Sequence, residues 1–200
     1  MKKRRFFALF LVLGLLVSLL SVPASAFEEI DVDARAALLV EKETGEILYE
    51  KNAHEKNYPA SITKLTVALL VFEAIDAGQL SLDQPITAHE SAFEGLSIYG
   101  STAGIKVGEV LTVEQLLQCM LIVSANETCN ILGEYISGSV EAFVARMNDR
   151  ATELGCEHTH FANATGLHNS QHYTTAWDLY LITREAMKHD KFMEICNSKS

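Results

Sequence analysis

Ser61-Ile62-Thr63-Lys64 puts a hydroxyl and an amine three residues apart at the expected start of a helix, where such positions share one face. Serine attacks a carbonyl only once a base takes its proton. Lysine is such a base when burial or nearby positive potential lowers its pKa toward neutrality. The positive end of the helix supplies part of that potential and favours an oxyanion forming near the Ser61 backbone N–H. The pair therefore suits acyl transfer. Its spacing is not specific, because fourteen serines and ten lysines in 200 residues give roughly 0.7 such pairs by random placement. On spacing alone, a stronger account makes Ser61 the N-cap of a core helix and Lys64 a solvated side chain.

Ser124-Ala125-Asn126 stands at a second expected helix start. Its chemical reading is a hydroxyl that relays a proton to a leaving group, beside an amide that holds Lys64 or a substrate carbonyl in place. Its structural reading is equally open, since Ser124 and Glu127 have capping-box spacing. Asn126-Glu127-Thr128 and Asn163-Ala164-Thr165 match the glycosylation acceptor pattern, which is frequent by chance. Seven histidines raise a metal question, but His158, His160, His168 and His172 lie in a polar loop and no H-E-x-x-H occurs. A solvated or loop-stabilising role is expected there, and no metal or cofactor is implied. Cys119, Cys129, Cys156 and Cys196 follow no zinc or C-x-x-C spacing; Cys119 and Cys129 read as buried small hydrophobes, and no disulfide is inferred.

The elements that must position these groups follow from periodicity and caps. Residues 36–50 read as a hairpin around a Glu43–Glu46 turn, and the text from Ser61 to Gly78 as a largely buried helix. Residues 79–110 hold four of the eleven glycines, several polar loop residues and little periodicity, so an irregular surface excursion is expected. Thr112 with Gln115 opens a helix through about 122, and further helices are expected over Ser124 to Tyr135 and Val140 to Leu154. A last one runs from Thr175, capped with Asp178, to about Lys188. Two strands alone make a marginal sheet.

Composition bounds the rest. With 48% hydrophobic and 21% charged residues the chain is neither disordered nor collagen-like. Its net charge of -10 argues against nucleic acid as a partner. Lys2-Lys3-Arg4-Arg5, the run FFALFLVLGLLVSLL and Ala24-Ser25-Ala26 predict a signal peptide over residues 1–26. The alternative is an uncleaved anchor, although the run is short of the ~20 residues a spanning helix needs. Residues 1–26 hold four of the sixteen basic residues and none of the acidic ones, so the exported body carries -14. Export permits disulfides.

Three longer segments carry a resemblance: YEKNAHEKNYPASITKLTVALLVFEAI, VGEVLTVEQLLQCMLIVSANETCN and FANATGLHNSQHYTTAWDLYLITREAM. In this order they resemble the low-molecular-mass penicillin-binding proteins, the serine-type D-alanyl-D-alanine carboxypeptidases of peptidase family S11, over most of residues 36–190. The short motifs resemble the first two of the S-x-x-K, S-D-N and K-T-G set of penicillin-binding proteins and β-lactamases, with Ala125 where the second has Asp. The resemblance implies an α+β fold of the serine β-lactamase and penicillin-binding-protein transpeptidase type, an antiparallel sheet flanked by a helical subdomain. Residues 27–200 would be the N-terminal portion of the catalytic domain, with the sheet incomplete. It makes Ser61 the acylated nucleophile, Lys64 its base, Ser124 the proton relay and Asn126 the substrate-binding, orienting amide.

It also implies action outside the cytoplasm on peptidoglycan stem peptides ending in D-Ala-D-Ala, and binding of β-lactams. Ala125 resembles the carboxypeptidases more than the many β-lactamases with Asp there. The K-T-G strand is missing, and Lys199-Ser200 does not stand in for it. Without it the chain would lack one oxyanion donor and the substrate-carboxylate anchor. Alternatives are a β-lactamase or a catalytically inactive wall-binding fragment. A membrane association would run through a C-terminal segment beyond residue 200.

Overall fold

The first described element is a hairpin, because the chain needs a reversal at Glu41–Glu46 and Gly45 supplies it with a φ of +73°. The computed structural model describes residues 31–198; the predicted signal peptide and Lys199-Ser200 lie outside them. Strands β1 (Ala37–Val40) and β2 (Ile47–Lys51) pair antiparallel from Ala37 opposite Lys51 to Val40 opposite Ile47, with an irregularity between Leu39 and Val40. The turn is tied by Glu41, whose carboxylate accepts from the Thr44 N–H and hydroxyl at 2.6 and 2.7 Å. From Ala34 onward the chain packs as one unit, and the hairpin rests against a late helix described below.

Helix α1 (Lys64–Asp76) is the centre of that unit. Nine of its thirteen residues are buried, on every side, so it reads as apolar all round rather than as an amphipathic stripe. It stops at Gly78, whose φ of +69° a residue with a Cβ would adopt at a cost. Helices α2 (Val113–Ile122), α3 (Asn126–Ser137), α4 (Val140–Glu153) and α5 (Ala176–Ala186) surround it, and α6 (Asp190–Cys196) closes against α2. Leu69, Leu70, Leu116, Leu117, Leu132 and Phe143 form the middle of the core. Helices α3 and α4 approach closely at Gly133, where a Cβ would come within 2.6 Å of the Phe143 ring.

Caps explain several boundaries. Thr112 and Gln115 form the expected reciprocal box at the start of α2, and Thr175 accepts from the Asp178 N–H at the start of α5. Ser139 caps α4 in the same way. The α+β class is observed, but its strands form two separate two-stranded sheets among the described residues.

Three expectations need correction. The stretch 79–110 is not wholly irregular: β3 (Pro85–Thr87) pairs antiparallel with β4 (Val110–Thr112), and a 3-10 turn covers Glu90–Phe93. Only Ile86 of β3 is buried, and three-residue strands leave too short an alternation to detect. Helix α6, seven residues long, is too short for its periodicity to show in the sequence. Finally, the Ser124–Glu127 capping box does not exist: the N-cap of α3 is Ala125, and Ser124 sits at a φ of +61°.

Candidate active site

Ser61 lies in a 3-10 turn, Ala60–Thr63, that runs straight into α1. Neither cap of that turn or of α1 is made by the Ser61 side chain, so the capping account of this serine fails. The residue before it, Ala60, has a φ of +49°, in the left-handed region that L residues enter at a cost of roughly 1–2 kcal/mol. Its neighbour explains how the turn is held. Gly166 packs so tightly that a Cβ there would lie 1.8 Å from the Ala60 carbonyl oxygen and 3.0 Å from the Ser61 nitrogen.

Lys64 follows one turn later and is not solvated, being 3% exposed. Its Nζ donates to Ser61 Oγ at 3.2 Å, Asn126 Oδ1 at 2.8 Å and the Thr165 carbonyl oxygen at 3.0 Å. Those three acceptors use every N–H of an ammonium; loss of one proton leaves a lone pair within the same cage. Burial pushes the amine below its ordinary pKa. Two groups on α3 act in the opposite direction, Cys129 and Glu127. The Cys129 thiol is itself pushed up to about 12 by burial and is neutral near pH 7, which leaves Glu127 as the opposing charge.

Asn126 reaches Lys64 because it is the first residue of α3, and its backbone N–H donates to the Ser101 carbonyl at 2.9 Å. The segment carrying Ser101 passes so near that a Cβ on Gly100 would lie 2.5 Å from Asn126 Nδ2. Beside Asn126 opens a cavity of about 340 Å³, lined among others by Phe93, Ser97, Gly100, Ile105, Lys106 and Glu127. Three of the four sequence-predicted residues, Ser61, Lys64 and Asn126, are thus joined in one hydrogen-bonded chain. Ser124 stands two residues before Asn126, half-buried, and is not among the partners of Lys64.

Sequence reasoning missed the wall behind Lys64. Asn163, which the sequence pattern marks only as a glycosylation acceptor, accepts through Oδ1 from the Thr165 N–H, the Thr165 hydroxyl and the Gly166 N–H at 2.8–3.1 Å. Its Nδ2 donates to the Leu167 carbonyl at 2.8 Å. Those bonds aim the Thr165 carbonyl at Lys64. The signal was an Asn three residues before a Gly, an Asx-turn pattern.

His172 is not solvated either, at 2% exposure. Its Nδ1 accepts from the Ala162 N–H at 3.1 Å, so the neutral ring carries its proton on Nε2 and donates to Thr63 Oγ1 at 2.8 Å. The loop-stabilising half of the histidine expectation holds for this residue. Burial, with a smaller contribution from His160, pushes its pKa down to about 4. Among the described residues no cluster of three or more His, Cys, Asp or Glu side chains could hold a metal, and no helix is long and apolar enough to cross a membrane.

The chain as a whole is similar to known proteins. The chain is 37% identical over 182 residues to the D-alanyl-D-alanine carboxypeptidase DacF of Bacillus subtilis, covering 87% of this chain and 46% of that protein. It is 35% identical over 162 residues to DacC of Escherichia coli, covering 80% and 40%. It therefore spans about half the length of these curated relatives or somewhat less. The crystal structure of the D-alanyl-D-alanine carboxypeptidase DacD from Francisella tularensis superposes with a TM-score of 0.81 at 35% identity, over 86% of this chain and 41% of that one. The Streptomyces K15 DD-transpeptidase superposes at 0.80 with 28% identity, over 86% and 68%. The fold is the penicillin-binding-protein, transpeptidase-like one. Residues 23–199 match the family described as D-alanyl-D-alanine carboxypeptidase, peptidase family S11, and the chain belongs to it.

Proposed function

We propose that this chain carries the nucleophile and base of a penicillin-binding serine hydrolase that removes the C-terminal D-alanine from peptidoglycan pentapeptide. The observation that carries the reading is the buried Lys64 amine, hydrogen-bonded to Ser61 Oγ and caged by Asn126 and Thr165 in a member of this family. Residues 27–200 are then the N-terminal portion of the catalytic domain, behind a signal peptide at 1–26, and the protein acts outside the cytoplasm.

In this mechanism neutral Lys64 takes the Ser61 proton as Oγ bonds to the carbonyl carbon of the penultimate D-alanine. The electron pair of the breaking C–N bond leaves with the terminal D-alanine, which receives a proton relayed through Ser124. Asn126 holds the amine on one side and offers its Nδ2 toward the substrate side. Water then attacks the acyl-serine ester, returning Ser61 and releasing the shortened peptide. A β-lactam enters the same first step and stays as the ester. The likeness to a DD-transpeptidase favours one further arm, in which an amine instead of water receives the acyl group.

The test is labelled penicillin offered to the protein expressed from its full reading frame and to its Ser61→Ala variant, with the adduct located by mass spectrometry. A long-lived adduct on Ser61 and release of D-alanine from pentapeptide are expected. Wild-type protein that takes no label overturns the reading, and rapid turnover of the penicillin favours a β-lactamase instead.

A further inference from the structure

None of the hydrogen bonds of Lys64 goes to a carboxylate, although one is buried close by. Glu127 follows Asn126 on α3, is 2% exposed and is the charge that raises the affinity of Lys64 for its proton. A buried amine and carboxylate left to themselves pair, because each lowers the other's desolvation cost. Such a pair would hold Lys64 as ammonium and remove the lone pair that Ser61 requires. Here Glu127 is engaged elsewhere. Its Oε1 accepts from the Thr102 hydroxyl at 2.7 Å and from the Ala103 N–H at 2.8 Å.

The segment that makes these bonds is itself held in place. Ser101 accepts from the Asn126 N–H, and Gly100 lies against the Asn126 amide. The direction of the hydroxyl proton is set as well. Thr102 Oγ1 accepts from the Gly104 N–H at 2.9 Å, so its own proton is free for the carboxylate. The neighbouring titratable groups are Cys129 on α3, a neutral thiol, Cys119 on α2, a thiol that burial and the Glu127 and Glu109 charges push up, His172 behind the Ser61 turn, neutral above about pH 4, and Lys106, which lines the cavity that Glu127 also faces.

We propose that Thr102 and Ala103 form a carboxylate clamp that keeps Glu127 off Lys64, and that the clamped Glu127 sets the pH at which Lys64 begins to act as a base. The inference rests on the proposed role of Lys64 and adds Glu127 and Thr102 as positioning residues. Glu127→Gln keeps both acceptor bonds and removes the charge. Thr102→Val removes one donor and releases the carboxylate toward the amine.

The pH dependence of acylation by labelled penicillin is measured on the full-length protein and both variants, with Thr102→Ser as the conservative rescue. The acid limb of the profile moves to lower pH in Glu127→Gln, with the rate at a fixed acidic pH up about threefold for each half-unit of movement. It moves to higher pH in Thr102→Val and stays in place in Thr102→Ser. Unchanged limbs in both variants, or limbs that move in the same direction, overturn the clamp. Direct titration of Lys64 by carbon-13 NMR of its Cε reads the clamp without activity, and equal titration in all proteins overturns it. Wild-type protein that is never acylated defeats the functional reading alone.

Discussion

Two segments outside regular secondary structure approach the Ser61–Lys64–Asn126 chain, residues 161–172 from one side and residues 94–106 from the other, and they are built differently. In the first, Phe161, Ala164, Thr165 and His172 are all buried, and Asn163 alone accepts three hydrogen bonds. In the second, Ile98 and Tyr99 are 89% and 93% exposed, and the inner end, Gly100 to Ala103, is fastened to Asn126 and Glu127. The wall that aims the base is constructed like core. The wall across the cavity is anchored at one end and open at its tip. Local opening costs follow buried contacts and satisfied polar groups, so the first wall is the stable one and the second the deformable one.

The sharpest way to break this contrast is Gly166→Ala. The substitution puts a Cβ into the Ala60 carbonyl and an L residue at a φ of +85°. Overpacking and backbone strain add, and a loss of about 3 kcal/mol or more in unfolding free energy is expected from denaturant titration. Loss of the penicillin adduct should accompany it, since the clash falls on the Ser61 turn. A variant as stable and as reactive as wild type would mean that the first wall yields after all.

His172 gives the next effect, and its sign follows from linkage. The folded-state pKa of about 4 lies below the ordinary 6.5, so between these values the unfolded chain binds more protons. Stability is therefore full above pH 6.5 and is lost as pH falls through 4, by about 3 kcal/mol in all. Denaturant midpoints measured across that window should show the slope, and His172→Gln should flatten it. At the small end stands Tyr99→Ala. Truncating a side chain that touches little should change stability by no more than about 0.5 kcal/mol, and a larger loss in thermal denaturation would erase the distinction between the walls.

Much of the site was legible as text. Ser61 and Lys64 at i and i+3, and the Ser124-Ala125-Asn126 triplet at a helix start, are local patterns, and local patterns survive folding. The caps at Thr112 and Thr175 were readable for the same reason. Strands β3 and β4 were not, because three residues carry too little alternation and their pairing joins residues some 25 apart in the chain. Glu127 misled: its spacing from Ser124 suggested a cap, but a carboxylate goes where donors are, and the donors were Thr102 and Ala103. Asn163 and His172 misled likewise, since a polar residue in a polar loop looks solvated until the loop is known to fold inward.

By itself the sequence determined which groups could react and on which face of a helix they would stand, because a hydroxyl and an amine three residues apart need only one helical turn to meet. Only the tertiary structure decided that Lys64 is buried, that Asn126 and Thr165 share its remaining protons, and that Glu127 is drawn away from it. A lysine's pKa answers to desolvation and to charges brought near from distant parts of the chain, and those distances come into being only when α1, α3 and the two walls pack together.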